Sequence, residues 1–366
     1  MSASILILGS GALAREVVLA VPGAAVRLGL SELAVVVGSR DASRAEWLSL
    51  LGRARSGAVL APARFKSLAI DWSDEDRLAD AIDESSPTVI LHTASLQSAW
   101  SLTQPNAWSR LVSLGGYGVT AALQAALLPC LKRALVSASY HGPLVNACYP
   151  DVINAAGPAL GLKITCGLGN IALLAEVFQA HLSPANGPMR LLAGHWDVAT
   201  LTRPSTERRA LPPVWLGDER LADEMIRAAP ALSGDVTMNA LSAGATALLL
   251  CALASGRDLS TFHVPGPNGL LGGYPVRLEG GEIVLDLPKG LTLEAASAWN
   301  EERAVMDGAS VVNGRTLVFS PPAAERLARV APSLREGFDF ADVEAAARAF
   351  ADLRDHLRQQ PPTLIY

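Results

Sequence analysis

The sequence predicts an α/β protein whose first half forms a doubly wound parallel sheet, and three observations carry this prediction. Apolar, β-type runs alternate with helical patterns through the first half of the 366 residues, which is typical of a parallel sheet covered by helices. Unbroken apolar runs such as Val35–Val37 indicate strands buried on both faces. The first of these strands also runs directly into a glycine-rich turn that opens a helix.

The elements of this half alternate between strand and helix. Six strands are predicted, at Ser4–Leu8, Glu32–Val37, Ser67–Ile70, Thr88–His92, Ala134–Ser137 and Lys163–Thr165. Helices are predicted between and after them, at Ala12–Ala20, Ala42–Leu51, Asp74–Ile82, Val119–Leu131 and Ile171–His181. This alternation is the pattern of a doubly wound fold.

The second half has a different rhythm, which predicts an α+β substrate domain. A strand-like stretch, Met189–Thr202, would place His195 and Asp197 on one face, and an apolar helix is expected at Val236–Ala254. Further strands are predicted at Pro275–Leu278, Ile283–Leu287 and Ser310–Phe319. The last helix, Phe340–Leu357, follows a capping Asp339 and is expected to pack back on the first domain. We therefore predict domains at 1–183, completed by 335–366, and at 184–334, the second also serving dimerisation.

Composition excludes several classes of partner. The net charge is −5 and only 18% of residues are charged, which argues against nucleic acid or an anionic membrane surface. The most apolar stretch, Ala243–Ala254, has about half the length of a membrane-spanning helix, and no signal peptide is expected. The four cysteines form no CxxC pair, which fits a reducing compartment. We expect a cytoplasmic protein.

The first strand is followed by a G-x-G-x-x-A turn made by Gly9, Gly11 and Ala14. Gly9 permits the tight turn, Gly11 lets the backbone approach a pyrophosphate, and Ala14 keeps helix and strand close. The helix start at Ala12 and Leu13 presents free N–H groups to phosphates. In this strand–turn–helix context the pattern predicts a Rossmann dinucleotide site rather than an unliganded glycine turn.

The end of the second strand predicts which dinucleotide binds. NAD-binding proteins usually carry an acid there for the ribose 2′-OH, but this chain has Gly38, followed by Ser39, Arg40 and, four residues later, Arg44. A guanidinium and a hydroxyl suit a 2′-phosphate, so NADP is predicted over NAD. Asp41 is the alternative ribose acid, although its place before a helix favours an N-cap.

Later strands add further cofactor candidates. Asp71 ends the third strand beside Trp72 and is placed along the adenine, with a solvent-facing aspartate as the alternative. Thr93, Ala94 and Ser95 follow the fourth strand. Because carboxyl ends of parallel strands face the ligand crevice, this run is predicted to line the cofactor.

From residue 4 to about residue 180 the sequence resembles the saccharopine dehydrogenase-like group of NAD(P) oxidoreductases. The resemblance rests on the glycine turn, the end of the second strand, and the stretch Val119–Leu174 with its Ser139-Tyr140 pair. Where members commonly have Gly-Leu-Asp-Pro-Gly, this chain has Cys166-Gly167-Leu168-Gly169-Asn170, and it inserts Pro143–Asp151 before the helix. The resemblance implies a dimer and chemistry at carbon–nitrogen bonds of amino-acid-like substrates. Cys166, Gly167 and Gly169 are predicted to approach the cofactor's flat ring.

Three side chains are candidates for the proton donor that a reductase needs. They are Tyr149, Asp151 and His263, and their alternatives are a capping tyrosine, an N-cap aspartate and a turn histidine. His195 and Asp197 either line the cleft or form a polar sheet surface, which is slightly favoured. Arg203, Arg208 and Arg209 either bind a substrate carboxylate or form a solvated loop.

The predicted function is NADP-dependent hydride transfer to or from a C=N or C=O bond of a small amino-acid-like or keto-acid-like substrate. A non-enzymatic NADP sensor, or a lyase or isomerase that uses the cofactor transiently, are the alternatives. The chain has no Tyr-x-x-x-Lys and no Gly-x-Ser-x-Gly motif, which argues against a short-chain dehydrogenase and an α/β-hydrolase. No zinc motif is present, so no metal is expected.

Overall fold

The computed structural model describes residues 3–182 and 187–365 and is organised around one parallel sheet. The predicted domain boundary between residues 183 and 184 lies outside the described residues. The strands are Ser4–Leu8 (β1), Leu33–Ser39 (β2), Ala63–Ala69 (β3), Val89–His92 (β4), Leu144–Asn146 (β5), Cys166–Gly167 (β6), Met189–Leu191 (β7), Val214–Leu216 (β8), Glu219–Arg220 (β9), Leu259–Pro265 (β10), Gly273–Glu279 (β11), Glu282–Leu285 (β12), Ala309–Val312 (β13), Thr316–Phe319 (β14) and Phe338–Asp339 (β15).

The helices lie between these strands and after the last one. They are Ala12–Arg27 (α1), Ala42–Val59 (α2), Glu75–Ser85 (α3), Ala107–Gly115 (α4), Ala121–Ala125 (α5), Leu128–Ser137 (α6), Pro150–Ile153 (α7), Gly157–Leu160 (α8), Asn170–Leu182 (α9), His195–Leu201 (α10), Asp223–Arg227 (α11), Asn239–Ser255 (α12), Leu293–Met306 (α13), Pro321–Val330 (α14) and Val343–Leu357 (α15).

The central sheet has six parallel strands in the order β3-β2-β1-β4-β5-β6. Ile5 of β1 lies opposite Val35 of β2 on one side and opposite Val89 of β4 on the other. The strand order therefore reverses between β1 and β4, and ligands of such sheets bind at the carboxyl ends of the strands beside this point. The predicted doubly wound α/β fold is confirmed.

Alternate side chains of β1 reach the two faces of the sheet, as strand geometry requires. Ile5 and Ile7 join a hydrophobic core with side chains from α1 and α12. Leu6 and Leu8 join a second core with side chains from α3, α6 and α15. All four β1 side chains are fully buried, so the sheet is covered on both faces.

Helix α12 lies by sequence within the predicted substrate domain, but it packs extensively against α1 and also contacts β1 and β4. Its side chains are apolar around most of the helix, and Leu249, Leu250 and Cys251 are fully buried. A helix with apolar residues on all sides needs burial on all sides. Residues of the predicted second domain therefore complete one face of the N-terminal sheet.

The predicted fifth strand, Ala134–Ser137, is wrong because these residues form the end of α6. Leu128, Leu131 and Leu135 are buried at helical spacing, while Val136 is 66% exposed. A short apolar run fits either element when read alone, and here the helical face packs on α3. The fifth strand is instead β5, at Leu144–Asn146, and β6 begins just after the predicted Lys163–Thr165.

The predicted strand Met189–Thr202 is also wrong beyond its first residues. Only Met189–Leu191 form a strand, and α10 begins at His195. The Asp197 carboxylate accepts a hydrogen bond of 2.9 Å from the N–H of Gly194, which stabilises this helix start. His195 and Asp197 therefore do not share a strand face.

Three small antiparallel sheets surround the central one, in the orders β7-β8-β9, β10-β11-β12 and β13-β14-β15. The hairpin β13–β14 places Val311 and Leu317 in the same core as α15. The C-terminal helix α15 itself packs against α4 and α5. It begins at Val343, after a short 3-10 turn in which Asp339 accepts a hydrogen bond from the N–H of Ala341.

Two stretches of the described chain are long and apolar enough to cross a membrane, namely Tyr117–Ser137 and Val236–Ser255. Their most apolar windows are 67% and 61% buried within the protein. Core helices of a folded protein have this property, and α12 with its packing against α1 is such a helix. The four cysteines are all buried and unpaired.

Candidate cofactor and active site

A cavity of about 390 Å³ opens at the carboxyl ends of β1, β2, β4 and β5. We call its β1–β2 side, with Gly9, Gly11, Ser39, Arg40 and Arg44, the nucleotide end. Its β5 side, with Tyr117, Tyr149, Asn170 and His195, is called the catalytic end. β2 and β5 are three strands apart in the sheet, so their ends are separated by roughly 14 Å at the usual strand spacing.

The glycine turn leaves space for a pyrophosphate. Gly9 has a φ of +128°, and a Cβ there would overlap the Thr93 hydroxyl. A Cβ on Gly11, by contrast, would meet no atom within 4 Å, because this Cα faces open cavity. Gly11 caps α1 without a side-chain hydrogen bond, so the first N–H groups of α1, including those of Ala12 and Leu13, are available to an anion.

Near the end of β2, Gly38 leaves little space for a side chain, and two cationic residues follow the strand. A Cβ on Gly38 would already lie 3.3 Å from both Ile70 and Leu8. Asp41 accepts a 3.0 Å hydrogen bond from the N–H of Arg44, so its carboxylate is occupied in capping α2. Within the described chain, no ion pair or side-chain hydrogen bond engages Arg40 or Arg44 at this surface. Their guanidinium groups fit a phosphate.

The remaining predicted cofactor residues divide into two groups. Ser39, Thr93, Ala94, Ser95 and Gly169 line the cavity. Ser39 Oγ lies 2.8 Å from Ser10 Oγ, and Thr93 Oγ1 donates 3.1 Å to the carbonyl of Leu8. These bonds hold the turn and the β4 end in place.

Asp71, Cys166 and Gly167 do not line the cavity, contrary to prediction. The Asp71 carboxylate accepts hydrogen bonds from the hydroxyl and N–H of Ser73, bonds that lower its pKa. Trp72 lines the cavity in its place. Cys166 and Gly167 lie inside the sheet as β6, with Cys166 fully buried, and only the loop that follows reaches the crevice.

Tyr149, a predicted catalytic residue, lines the catalytic end from the loop after β5. Its backbone has φ 47° and ψ 53°, a left-handed conformation that costs a non-glycine residue about 1–3 kcal/mol. Its hydroxyl donates a 2.8 Å hydrogen bond to Asp307 Oδ2. Burial, followed by the charge of Asp307, raises the pKa of Tyr149 well above its ordinary value, so the hydroxyl keeps its proton.

His195 lies at the first position of α10 and shares the same carboxylate. Its Nδ1 lies 3.0 Å from Asp307 Oδ2 and 3.1 Å from Oδ1. The ring stacks on Tyr117 at a centroid distance of 4.2 Å and meets Tyr149 edge-on at 5.8 Å. Burial lowers the pKa of His195, but the charge and hydrogen bond of Asp307 and the charge of Asp151 together raise it above its ordinary value. The opposite ring nitrogen, Nε2, has no protein partner in the described chain.

Asp151, the second predicted catalytic residue, lies beneath the cavity wall and does not line it. Its Oδ2 accepts a 2.6 Å hydrogen bond from Asn170, a wall residue, and its Oδ1 is buried without a partner among the described groups. Burial raises the pKa of Asp151 to about 6. Its charge acts on His195 at a distance.

His263, the third predicted catalytic residue, lies away from the site, so that prediction is wrong. It belongs to β10, where it pairs with Pro275, and it lines a separate cavity of about 290 Å³ together with Glu176. The expected loop starts only after β10. Burial lowers the pKa of His263 to about 3, so the ring is a neutral, buried group.

Arg203, Arg208 and Arg209 do not line the cavity either. Arg208 is 2% exposed, and its guanidinium donates to the carbonyl oxygens of Arg203, Leu201, Arg227 and Ala229. It therefore links the end of α10 to the end of α11, and it is not free to hold a substrate.

No local pattern in the sequence points to Tyr117 or Asp307, and the sequence slightly favours a surface role for His195. Asp307 follows α13, and its carbonyl accepts a 2.8 Å hydrogen bond from the N–H of Gly118. A Cβ on Gly116 would overlap this same carbonyl, so glycine allows the two segments to touch. Only this close packing of distant segments brings Asp307 to His195.

These features define the chain as a Rossmann-fold protein with a His–Asp pair in the crevice at the carboxyl ends of its strands. No family model and no curated protein matches it. Solved structures do: the lactate dehydrogenase of Cryptosporidium parvum, complexed with lactic acid and nicotinamide adenine dinucleotide, aligns with 14% identity over 83% of this chain and 95% of its own, at a TM-score of 0.54. The malate dehydrogenase of Salinibacter ruber aligns with 13% identity over 82% and 94%, at 0.52.

A third neighbour, the lactate dehydrogenase of Eimeria maxima with NADH and oxamate, aligns with 12% identity over 81% of this chain and 89% of its own, at a TM-score of 0.50. At such identities the likeness shows the fold, which is the Rossmann fold of nicotinamide-dependent dehydrogenases. These neighbours are lactate and malate dehydrogenases, so the resemblance to the saccharopine dehydrogenase-like group is supported only at the level of this fold.

Proposed function

We propose that the protein is an NADP-dependent oxidoreductase that reduces a C=O bond of a small molecule or oxidises the corresponding alcohol. The observation that carries this proposal is the shared cavity. The His195–Asp307 pair opens into the same space as the glycine turn. A dinucleotide on the turn would therefore have a proton donor within the crevice that it occupies.

The nucleotide end supports NADP as the cofactor. Gly11 and the start of α1 would hold the pyrophosphate, and Arg40 with Arg44 would hold the 2′-phosphate. Gly38 cannot be replaced by a ribose-binding acid without moving Ile70 or Leu8. When bound, the nicotinamide would supply or accept the hydride.

His195 is the group that we propose to move the proton. Asp307 holds Nδ1 and favours the imidazolium, which leaves Nε2 to donate to a carbonyl oxygen during reduction or to accept from an alcohol during oxidation. The Tyr149 hydroxyl fixes the Asp307 carboxylate from a second side, and Tyr117 holds the plane of the ring. Tyr149 is thus a positioning residue, since its proton is committed to Asp307.

A carbonyl substrate is favoured over an imine for a chemical reason. Hydride transfer to C=O develops an alkoxide, which needs a positioned acid, whereas hydride transfer to a protonated imine gives a neutral amine directly. The expected dimer and the cytoplasmic location remain predictions; light scattering of the purified protein would test the first, and fractionation of cells the second.

The test is turnover of reduced cofactor with a panel of carbonyl, oxo-acid and imine compounds, using NADPH and NADH in parallel. We expect NADPH oxidation with carbonyl compounds, and a loss of about 10²–10⁴-fold in kcat for His195→Gln. His141→Gln, an exposed histidine outside the cavity, is the matched control. Tight NADP binding without turnover across the panel would instead indicate a sensor, and a faster reaction with imines would overturn the carbonyl assignment.

A further inference from the structure

The cavity wall around His195 contains almost no positive charge. Among the described residues that line the cavity, Arg40 and Arg44 are the only Lys or Arg side chains. Both belong to the nucleotide end, roughly 14 Å from the end of β5 at the usual strand spacing. The seven residues outside the described ranges contain no Lys or Arg. No cationic side chain other than the histidine itself therefore meets a substrate at the catalytic end.

The segment after β4 forms one wall and is uncharged throughout. Residues 93–106 read Thr-Ala-Ser-Leu-Gln-Ser-Ala-Trp-Ser-Leu-Thr-Gln-Pro-Asn, and its stretch from Thr93 to Trp100 lines the cavity. A segment that received a substrate carboxylate would be expected to offer Arg or Lys. This one offers hydroxyls, an amide and an indole.

A buried arginine close in sequence to Asp307 is already engaged by other groups. Arg303, on α13 just before Asp307, lies between Trp196 and Trp299 at 5.0 and 4.4 Å from the ring centroids. Its Nε is 3.6 Å from the Asp197 carboxylate, and its Nη2 donates to the carbonyl of Leu211. It does not line the cavity, and releasing it would leave the buried Asp197 without a cationic partner.

Carboxylates predominate beneath the catalytic end. Asp307 is bonded to His195, and Asp151, 4% exposed, lies close enough to shift the same histidine's titration. A third carboxylate, brought in by a substrate, would be desolvated beside these groups with no new cation to pair with. An unpaired charge in such a place is strongly disfavoured.

The rest of the wall suits an uncharged molecule with an apolar part. Trp100, Leu173, Val198 and Met238 supply apolar surface. Asn239, at the start of α12, also lines the cavity. Its side-chain Nδ2 is shielded from solvent and has no partner among the described groups, so the amide has to turn toward the cavity to meet a ligand. An amide donor of this kind satisfies a neutral oxygen without the need for charge.

We infer that the substrate is an uncharged ketone or aldehyde, or the matching alcohol, with an apolar substituent, and that 2-oxo acids and 2-hydroxy acids are rejected. This inference rests on the proposed oxidoreductase function. It sets the chain apart from the two similar dehydrogenase structures that contain lactic acid or oxamate, since both compounds carry a carboxyl group.

The first experiment compares phenylpyruvate with its methyl ester, which lacks the negative charge and adds one methyl group, by NADPH oxidation with the full-length protein. We expect kcat/KM for the ester to exceed that for the acid by about 100-fold, the usual effect of an unpaired charge in a desolvated site. Equal values, or a preference for the acid, would overturn the inference while leaving the oxidoreductase function intact.

The second experiment needs no turnover. Titration calorimetry measures the binding of phenylacetamide and phenylacetate, and we expect the amide to bind at least about 10-fold more tightly. If neither phenylpyruvate compound is reduced, the panel of carbonyl compounds decides the proposed function, and this binding ratio still decides the charge preference. Tighter binding of phenylacetate would overturn it.

A variant can supply the missing cation. Ser98 lines the cavity, its side chain is exposed, and its hydroxyl makes no hydrogen bond in the described chain. Ser98→Arg is expected to shift the acid-to-ester ratio of kcat/KM at least about 10-fold toward the acid, whereas the similarly long but neutral Ser98→Gln should not shift it. An unchanged ratio in Ser98→Arg would show that charge in the wall does not set the preference.

Discussion

At the scale of single residues, the carboxylate of Asp307 holds two other side chains of the catalytic end in place. Asp307 accepts from the Tyr149 hydroxyl and holds Nδ1 of His195. The imidazole can therefore change its charge while its position stays fixed, which is what a general acid–base needs. Tyr117, stacked on the ring, removes a further degree of freedom.

The pH dependence of reduction follows from this arrangement. Reduction requires protonated His195, so kcat/KM is expected to fall as the pH rises through its pKa, which lies above the ordinary histidine value. Asp307→Asn removes the charge that raises this pKa, so the falling limb should move to lower pH. The measurement is a pH–rate profile of both proteins, with Asp342→Asn, an exposed aspartate outside the cavity, as control. A limb that stays in place would exclude His195 as the titrating acid.

Arg40 gives the sharpest test of cofactor choice. Arg40→Ala should weaken NADPH binding by about 10–100-fold, because a charge-assisted contact with the 2′-phosphate is lost, and should leave NADH binding nearly unchanged. Dissociation constants from fluorescence titration would show this. Arg55→Ala serves as the matched variant, because Arg55 is an exposed arginine of α2 that does not line the cavity. Equal weakening of both cofactors would contradict the phosphate assignment.

At the scale of elements, the sequence predicted what is encoded locally and missed what is not. β1, the glycine turn, α1 and the arginines after β2 are contiguous, so the nucleotide end could be read directly. The end of α6, Ala134–Ser137, and the residues of α10 fit a strand pattern because short apolar runs fit both periods until packing selects one. The catalytic end draws on positions 117, 149, 195 and 307, and nothing in any one segment indicates that the others lie beside it.

His263, predicted as a catalytic residue, is a buried residue of β10. Its burial leads to a prediction about stability. Burial lowers the pKa of His263 to about 3 in the folded chain. In the unfolded chain the same side chain binds a proton near pH 6.5. Stability is therefore lost as the pH falls below about 6.5. Between pH 6.5 and 5 this group should cost about 2 kcal/mol.

The comparison that isolates this effect is His263→Leu against the natural protein. Urea unfolding at pH 7 and pH 5 should show that the variant loses about 2 kcal/mol less on acidification. The difference between the two proteins removes the contribution of all other titrating groups. An identical loss in both would mean that His263 is protonated in the folded state.

At the scale of the whole molecule, the two predicted domains share their cores. α12 covers one face of the N-terminal sheet, and the hairpin β13–β14 and α15 complete the core on the other. Neither half of the chain buries its apolar surface alone. The predicted domain boundaries therefore divide the sequence but not the hydrophobic cores, because each core contains residues from both predicted domains.

This sharing predicts a single unfolding transition for the 366-residue chain. Calorimetry should give one peak whose calorimetric and van't Hoff enthalpies agree, as for a cooperative unit. As a matched perturbation, Leu250→Ala in α12 should lower the stability of the whole by about 2–5 kcal/mol. Two separable peaks, only one of which moves in the variant, would indicate independent domains.

The packing of α12 on α1 has a consequence for the order of events in catalysis. Both helices begin at the same cavity, α1 with the glycine turn and α12 with Asn239. A dinucleotide seated on the first would form part of the wall against which the second holds its ligand. We expect a compulsory-order kinetic scheme, with coenzyme entering first and leaving last. Product-inhibition patterns would show the oxidised coenzyme as competitive with the reduced one only, and a random pattern would contradict this order.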